Sequence, residues 1–526
     1  MQRSFVRRIA LVGGLGLAVV APLAASAAPH SHAPASFRAY VVTNGHNAAA
    51  HGGEPSIGFD PKRHAVIYGA SAHETRMVFH GAGVTQTDVS APTASVTTLD
   101  AITVVDQHTG RAFDVQLLGA CSAQSYSDDA GANWTPTSGC GPDALLDHES
   151  LGAGPYHAPI PKDANPIYPD AVYYCAQNGV NAFCSLSVDG GLTYLPGTPI
   201  SDTPINSVGD PFGGGCSGLH GHIRVGPDGT AYVPIKGCGG APTANNLTNE
   251  EFWGGHPAVA VSDNNGATWT TRVVPGGRNE DESDNAVAAD KANRLYMAWE
   301  DGHNPTEIKL AKTSAAKVAF SDNEGLTWSK PVDLSTPLGL HNIQFPEIIA
   351  GDKGRAAVAF LGTKAIGDDQ HNGMKGPDGK PPVWDLYVSM TYDGGKHWKT
   401  VDTTPHDPVQ RGCVDLQGLS NKTVTDKNIC GQRNLLDFND ITVDDHGRVL
   451  VAYADGCTGS CVHNPNMLSK DDTDMVMRLS GGKGLYAKYD GKLGPVRSAP
   501  LGSAVLVTPL ALAALLTRPN RRRRRR

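Results

Sequence analysis

Aromatic residues are scarce in this chain, 6% in all, and none of its ten cysteines forms a Cys-x-x-Cys pair. The second absence leaves a cysteine-ligated metal site without its usual spacing, so the even cysteine count reads instead as disulfides of an exported protein. Positive charge is outnumbered in the body of the chain. Ten of the 44 basic residues lie in residues 1–27 and 518–526, which hold no acid, so residues 28–517 carry 34 basic against 52 acidic groups, a formal −18. A body so acidic does not bind nucleic acid through charge, and it could attract a divalent cation such as calcium. No LPxTG sorting motif occurs.

Glycine (61) and proline (36), by contrast, are plentiful. Both suit many short strands joined by turns. An eight-residue stretch, Ser127-Asp128-Asp129-Ala130-Gly131-Ala132-Asn133-Trp134, recurs as SVDGGLTY from Ser187, SDNNGATW from Ser262, SDNEGLTW from Ser321 and TYDGGKHW from Thr391. Its shared positions are Asp129, Gly131 and Trp134; Asp189, Gly191 and Tyr194; Asn264, Gly266 and Trp269; Asn323, Gly325 and Trp328; and Asp393, Gly395 and Trp398. A short Asp or Asn side chain accepts hydrogen bonds from the backbone that follows it, glycine tolerates positive φ, and the aromatic opens a strand in which it buries well. The stretch therefore encodes a tight turn between two strands. It resembles the Asp box, or bacterial neuraminidase (BNR) repeat, of the sialidase superfamily of β-propellers. In that family the box joins the third and fourth strands of a blade at the rim, far from the active site, so the resemblance implies a fold rather than an activity.

A second repeat lies between the boxes: PSIGFDPKRHAVIYG from Pro55, GHIRVGPDGTAYVPI from Gly221, NAVAADKANRLYMAW from Asn285, PEIIAGDKGRAAVAF from Pro346 and NDITVDDHGRVLVAY from Asn439. Each is an alternating apolar strand, a turn of Asp, Gly, Pro or Asn, and a second, more apolar strand, which reads as the first two strands of a blade. The boxes start 59 to 75 residues apart, a spacing that suits four-stranded blades with loop insertions. Five boxes, plus the unit at Asn439–Asp455 that has none, predict an all-β fold, a six-bladed β-propeller with Asp boxes. Six is also the sialidase number, and that family closes its ring by sharing a sheet between the two chain ends. Here Phe37–Thr43 is the strand expected to pair with the last blade, around Leu485–Tyr489.

The two ends of the chain carry their own signals. Residues 1–27 combine a basic start, an apolar run from Ile9 to about Leu23 and Ala25-Ser26-Ala27, the pattern of a signal peptide, with an N-terminal membrane anchor as the alternative. The propeller is expected over residues 37–490 and a linker over 491–500. Residues 501–517 are apolar apart from Ser503, Thr508 and Pro509, and they precede the basic cytoplasmic tail 518–526. They are read as a C-terminal transmembrane or sorting segment, a disordered basic tail being the alternative. Nearest-neighbour disulfides Cys121–Cys140, Cys175–Cys184, Cys216–Cys238, Cys413–Cys430 and Cys457–Cys461 would staple each loop locally, although the sequence admits other connectivities.

In a propeller, loops entering the first strand and leaving the second share the face at the mouth of the central channel. Aligning first strands on Ile57, Ile223, Val287, Ile348 and Ile441 places Ser56, His222, Ala286, Glu347 and Asp440 one residue earlier, and Glu54, His220, Asp284, Phe345 and Phe438 three residues earlier. Residues two apart on a strand share a face, so an acidic, histidine-containing ring is expected at the mouth. Second strands add Glu300, Asp301 and Asp455. Such a pocket could bind a cation or polarise a sugar, with carboxylates for acid/base work, and His220 and His222 could chelate a metal. The sialidase resemblance implies three arginines, a Tyr–Glu nucleophile pair and an Asp acid. Arg76, Arg278 and Arg433 are candidates for the arginines and Tyr453 for the nucleophile, but the family's Arg-Ile-Pro motif is replaced by Phe37-Arg38-Ala39-Tyr40 and no glutamate is assigned to Tyr453. The expectation is thus an exported, surface-anchored module binding a glycan, a surface protein or a cation at the channel mouth; the alternative is an exo-glycosidase of sialidase type using Asp284, Glu347 and Asp440.

Overall fold

In the computed structural model the described residues are 34–43, 53–71, 73–95, 100–119, 121–140, 147–160, 165, 167–177, 182–201, 216, 220–238, 256–277, 283–302, 313–367, 374–414, 416 and 433–493. The expected signal peptide and C-terminal segment, together with Arg278 and Cys430, lie outside them.

The alternating apolar stretches form antiparallel strands, and these assemble into seven sheets of four principal strands. The fold is a seven-bladed β-propeller, not the six-bladed one expected. Blade 1 is Ser56–Asp60, Ala65–Ala70, His73–His80 and Gly83–Asp88. Blade 2 is Ala101–Val105, Ala112–Leu117, Cys121–Ser127 and Thr135–Cys140. Blades 3 to 6 begin at Asp147–Pro155, Arg224–Val225, Ala286–Ala289 and Asn342–Ala350. Blade 7 takes Asp440–Val443, Val449–Asp455 and Thr473–Gly481 from the end of the chain and Ser36–Val41 from its beginning.

The extra blade was hidden because the count rested on the eight-residue repeat. Third and fourth strands of blade 1 join through His80-Gly81-Ala82-Gly83, a short turn with Gly81 at φ 63° and no repeat. One repeat, at Ser127, thus followed two hairpins. The second of these turns at Asp106, whose carboxylate accepts the His108 N–H at 2.9 Å and the Thr109 N–H at 3.4 Å. Blade 7 has no third-to-fourth turn at all, since its fourth strand comes from the other end of the chain.

Ring closure also differs in register. Ser36–Val41 pairs with Thr473–Gly481, Tyr40 opposite Val476, instead of with residues around Leu485–Tyr489. TDMVMRLSG buries six consecutive residues, Asp474 to Leu479, whereas the glycine-rich segment after it forms a single helical turn at Ala487–Tyr489 and is tied by the Leu485 N–H to Gly447 O.

The five repeats join third to fourth strands in blades 2 to 6. Each first residue turns its hydroxyl into the loop as an acceptor: Ser127, Ser187, Ser262, Ser321 and Thr391 receive the N–H of Gly131, Gly191, Gly266, Gly325 and Gly395 at 2.8–3.0 Å. Those glycines sit at φ between 77° and 88°, a region in which a side chain is strained. The closing aromatic reaches the preceding blade. Trp134 Nε1 donates to Val89 O, Tyr194 OH to Gln124 Oε1, and Trp269 and Trp398 lie edge-on to Tyr173 and Tyr296. Apolar clusters accordingly run between neighbouring blades, as where Ala298 and Val318 of blade 5 meet Ile348, Val358 and Phe360 of blade 6.

Disulfides Cys121–Cys140, Cys175–Cys184, Cys216–Cys238 and Cys457–Cys461 are formed as expected. Cys413 is also disulfide-bonded, and its expected partner Cys430 is outside the described residues. Three of the four bridges join residues facing each other on adjacent strand segments. Bridges in this number mark an extracellular protein. Among the described residues no helix is long and apolar enough to cross a membrane.

Replacing the buried Ser262 by Ala removes the acceptor of the Gly266 N–H and leaves that group unsatisfied. Urea denaturation is expected to show a loss of about 1 kcal/mol for Ser262→Ala and near-complete recovery in Ser262→Thr, which keeps the hydroxyl.

Candidate functional site at the channel mouth

The first strands of all seven blades line the axis, so the residues at their entrances converge. Two are aimed by irregularities. His148 has φ 44° at a register shift between Asp147 and Glu149, and Phe345 has φ 56° within the shift between Gln344 and Glu347. Such bulges redirect side chains that regular pleating would send elsewhere. His220 and His222 flank Gly221, whose N–H binds Pro234 O at 3.0 Å, and so lie along the second strand of blade 4.

Five of the expected ring residues come together here. His222 Nδ1 stands 3.8 Å from Glu347 Oε1 and 3.8 Å from Asp440 Oδ1, and one ligand-type atom from each of the three lies within 4.8 Å of the others. His148 Nε2 is 3.3 Å from Asp284 Oδ2, and the His148 ring lies 5.3 Å from His220 and 6.1 Å from His222. Phe438 braces His222 edge-on at 4.7 Å. All of these side chains are buried, His220 completely. Glu54 belongs to an adjoining group: it is hydrogen-bonded to Asp100, whose carboxylate also receives the His148 N–H at 3.2 Å, and Arg433 pairs with Asp437 beside it.

Burial sets the protonation of this cluster. It lowers the imidazolium of His220 to about 3, with His148 adding to the effect, and it lowers His222 as well. Both rings are neutral at physiological pH. Glu347 is raised by burial and by the Asp440 charge, and Glu54 by burial and by Asp100. Burial alone would raise Asp440 too, but the His222 imidazole, the Arg224 guanidinium and the Ile57 N–H outweigh it and hold Asp440 low. Arg224 Nη2 lies 3.1 Å from Asp440 Oδ1 and 3.9 Å from Glu347 Oε2. Below this layer the axis widens into a cavity of 290 Å³ that extends toward the opposite face and is lined by Arg224, Asp440, Gly58, Gly152 and Gly154 among others.

Other candidates are elsewhere. Tyr453 is a core residue on the second strand of blade 7, its hydroxyl raised by burial and by the Asp455 and Asp407 charges; no glutamate contributes. Asp301 pairs with Lys317 at 2.6 Å within blade 5, where Glu300 is buried opposite Ala316. Arg76 is on the third strand of blade 1 and donates to Ala130 O in the Ser127 turn, 3.4 Å away, while Arg38 lies over its neighbour Tyr40. Among the described residues the arginine triad is therefore not assembled. His148 and Arg224 were missed: the histidine in DHESLGAG lies in no copy of the hairpin repeat, and Arg224 follows the aligned Ile223 instead of preceding it.

No family model and no curated protein matches the chain. Solved structures that align with it include an ancestral GH74 enzyme (12% identity, 81% of this chain and 47% of that one, TM-score 0.39). The GH74 xyloglucanase of Xanthomonas campestris aligns at 12% identity over 80% of this chain and 53% of its own, with a TM-score of 0.42. For the NanB sialidase of Streptococcus pneumoniae the values are 10%, 84% and 70%, with a TM-score of 0.35. The chain spans about half the length of the GH74 enzymes it matches. The class defined by the strand pairing is a seven-bladed β-propeller with a histidine–carboxylate cluster on its axis.

Asp455 provides a pH test outside the cluster. Burial, with the Asp407 and Asp471 charges behind it, raises this carboxyl to about 8 against the Cys457 N–H that lowers it. The folded state then holds a proton that the unfolded chain releases near 3.8. Its contribution is full below that value and is lost as pH rises toward 8, so stability should fall across pH 4 to 8. Asp455→Asn, which keeps an acceptor for Cys457, is expected to flatten this slope and to stabilise at pH 8 by on the order of 1–2 kcal/mol, read from urea midpoints at several pH values.

Proposed function

We propose that the protein is an exported, surface-anchored propeller of sialidase-like design, its five repeats serving as Asp boxes, that binds a glycan at the channel mouth. One observation carries this reading. The buried, neutral His220 donates through Nδ1 to Gly221 O at 2.9 Å, which leaves Nε2 as an acceptor, and among the described residues that atom has no hydrogen-bond partner. Glu347, Asp440 and Asp284 add further acceptors, with Arg224 as a donor. Neighbouring hydroxyls of a sugar, each able to donate and accept, suit such a set better than an apolar ligand does. Anchoring rests on the apolar run Leu501–Thr517 and the arginines after it.

Glycan-array binding by the purified protein tests the reading. His220→Ala and Asp284→Asn are each expected to weaken the strongest signal at least about tenfold, since each leaves a buried partner unpaired. Binding to no glycan would overturn the proposal. Turnover of an aryl glycoside, abolished in Glu347→Gln, would make the same face a glycosidase active site.

A further inference from the structure

We propose that His222, Glu347 and Asp440 hold one first-row divalent metal ion, of the zinc or manganese type, on the propeller axis. This rests on the same channel mouth as the glycan reading but on a separate observation. His222 is an imidazole 5% exposed whose Nε2 has no hydrogen-bond partner among the described residues, while its Nδ1 faces two carboxylate oxygens at 3.8 Å each, longer than an ordinary hydrogen bond. A buried polar group left in this condition is costly. The distances that are too long for hydrogen bonds are close to those between the ligands of one ion. With metal–ligand bonds of about 2.1 Å, neighbouring ligand atoms stand roughly 3.0–3.5 Å apart, so His222 Nδ1 is within about an ångström of a ligand spacing from each carboxylate, and all three ligand atoms lie within 4.8 Å of one another.

The donor set selects the ion. Calcium takes six to eight oxygens, and an imidazole nitrogen pointing between two carboxylates is foreign to that preference. One imidazole with two carboxylates suits zinc, manganese or iron, solvent filling the remaining positions. The surroundings are those of a held site. Asp440 is fixed by the N–H groups of Ile57 at 2.9 Å and of Ile441 at 2.8 Å, while Phe438 fixes the ring plane of His222. Arg224, 3.1 Å from Asp440 Oδ1, lies at the boundary of the axial cavity and gives the carboxylates a positive partner in the metal-free state. That cavity provides an approach for water and ions from the opposite face. The other candidate group, Asp444, Asp445 and His446, is open to solvent at Asp445 and His446, whereas His222, Glu347 and Asp440 are all buried.

Calorimetric titration of chelator-treated protein with Zn²⁺, and separately with Ca²⁺, tests the site. One equivalent of Zn²⁺ per chain is expected. His222→Gln and Glu347→Gln should each weaken it by at least about a hundredfold while retaining cooperative melting, and Ca²⁺ should not compete at equal concentration. Independently of any variant, wild-type protein loaded with Co²⁺ should show ligand-field bands distinct from those of aqueous Co²⁺. No stoichiometric uptake, uptake indifferent to His222→Gln, a preference for Ca²⁺, or an aqueous Co²⁺ spectrum would each overturn the proposal. Glycan binding that persists in protein taking up no ion sinks the metal centre alone; stoichiometric ion uptake without glycan binding sinks the glycan reading alone.

Discussion

Seven sheets arranged round one axis must bring seven first strands into the same narrow space, and most of the molecule's particular features follow from that convergence. Where the strands approach most closely there is no room for side chains: a Cβ on Gly58 would lie 2.4 Å from Val105, and one on Gly152 2.9 Å from Ile223. Where they enter, side chains from five blades meet in a volume largely closed to water. Charges placed there are screened chiefly by one another, which is why the protonation of His222, Glu347 and Asp440 is a property of the group.

The two faces solve different problems. On one, the five repeats spend a hydroxyl, a carboxylate or amide and a glycine on the same turn, and the aromatic that follows binds the blade before it. Repetition there fixes how sheets stack. The other face has no such constant sequence, and its entrances carry Glu54, His148, His222, Asp284, Glu347 and Asp440, chemically diverse residues on equivalent backbones. Adhesion between blades and the histidine–carboxylate cluster are thus on separate faces, so one can vary without loss of the other.

Much of this was legible because it is local. The turn chemistry around Ser187 or Ser321 needs only eight residues, four disulfides join neighbours in sequence, and the alternation in PEIIAG or NDITVD places Glu347 and Asp440 at strand entrances. What escaped was non-local or irregular. Blade 1 closes with a glycine turn that carries no signature, so the count fell one short. His148 reaches the axis only through a bulge, and a bulge shifts the period on which alignment depends. Tyr453 shows a different error: it stands within the second strand of blade 7 and faces a core between sheets, not the channel.

The seam between the ends of the chain governs time as well as shape. Tyr40 must wait for Val476, the partner synthesised last, so the ring closes only after all other blades exist. Until then two sheet edges stand open, and any product stopped before Thr473 keeps its first strand without a partner. Completion of the chain is therefore a checkpoint: the finished molecule shields its seam, while every unfinished one offers it to aggregation or proteolysis.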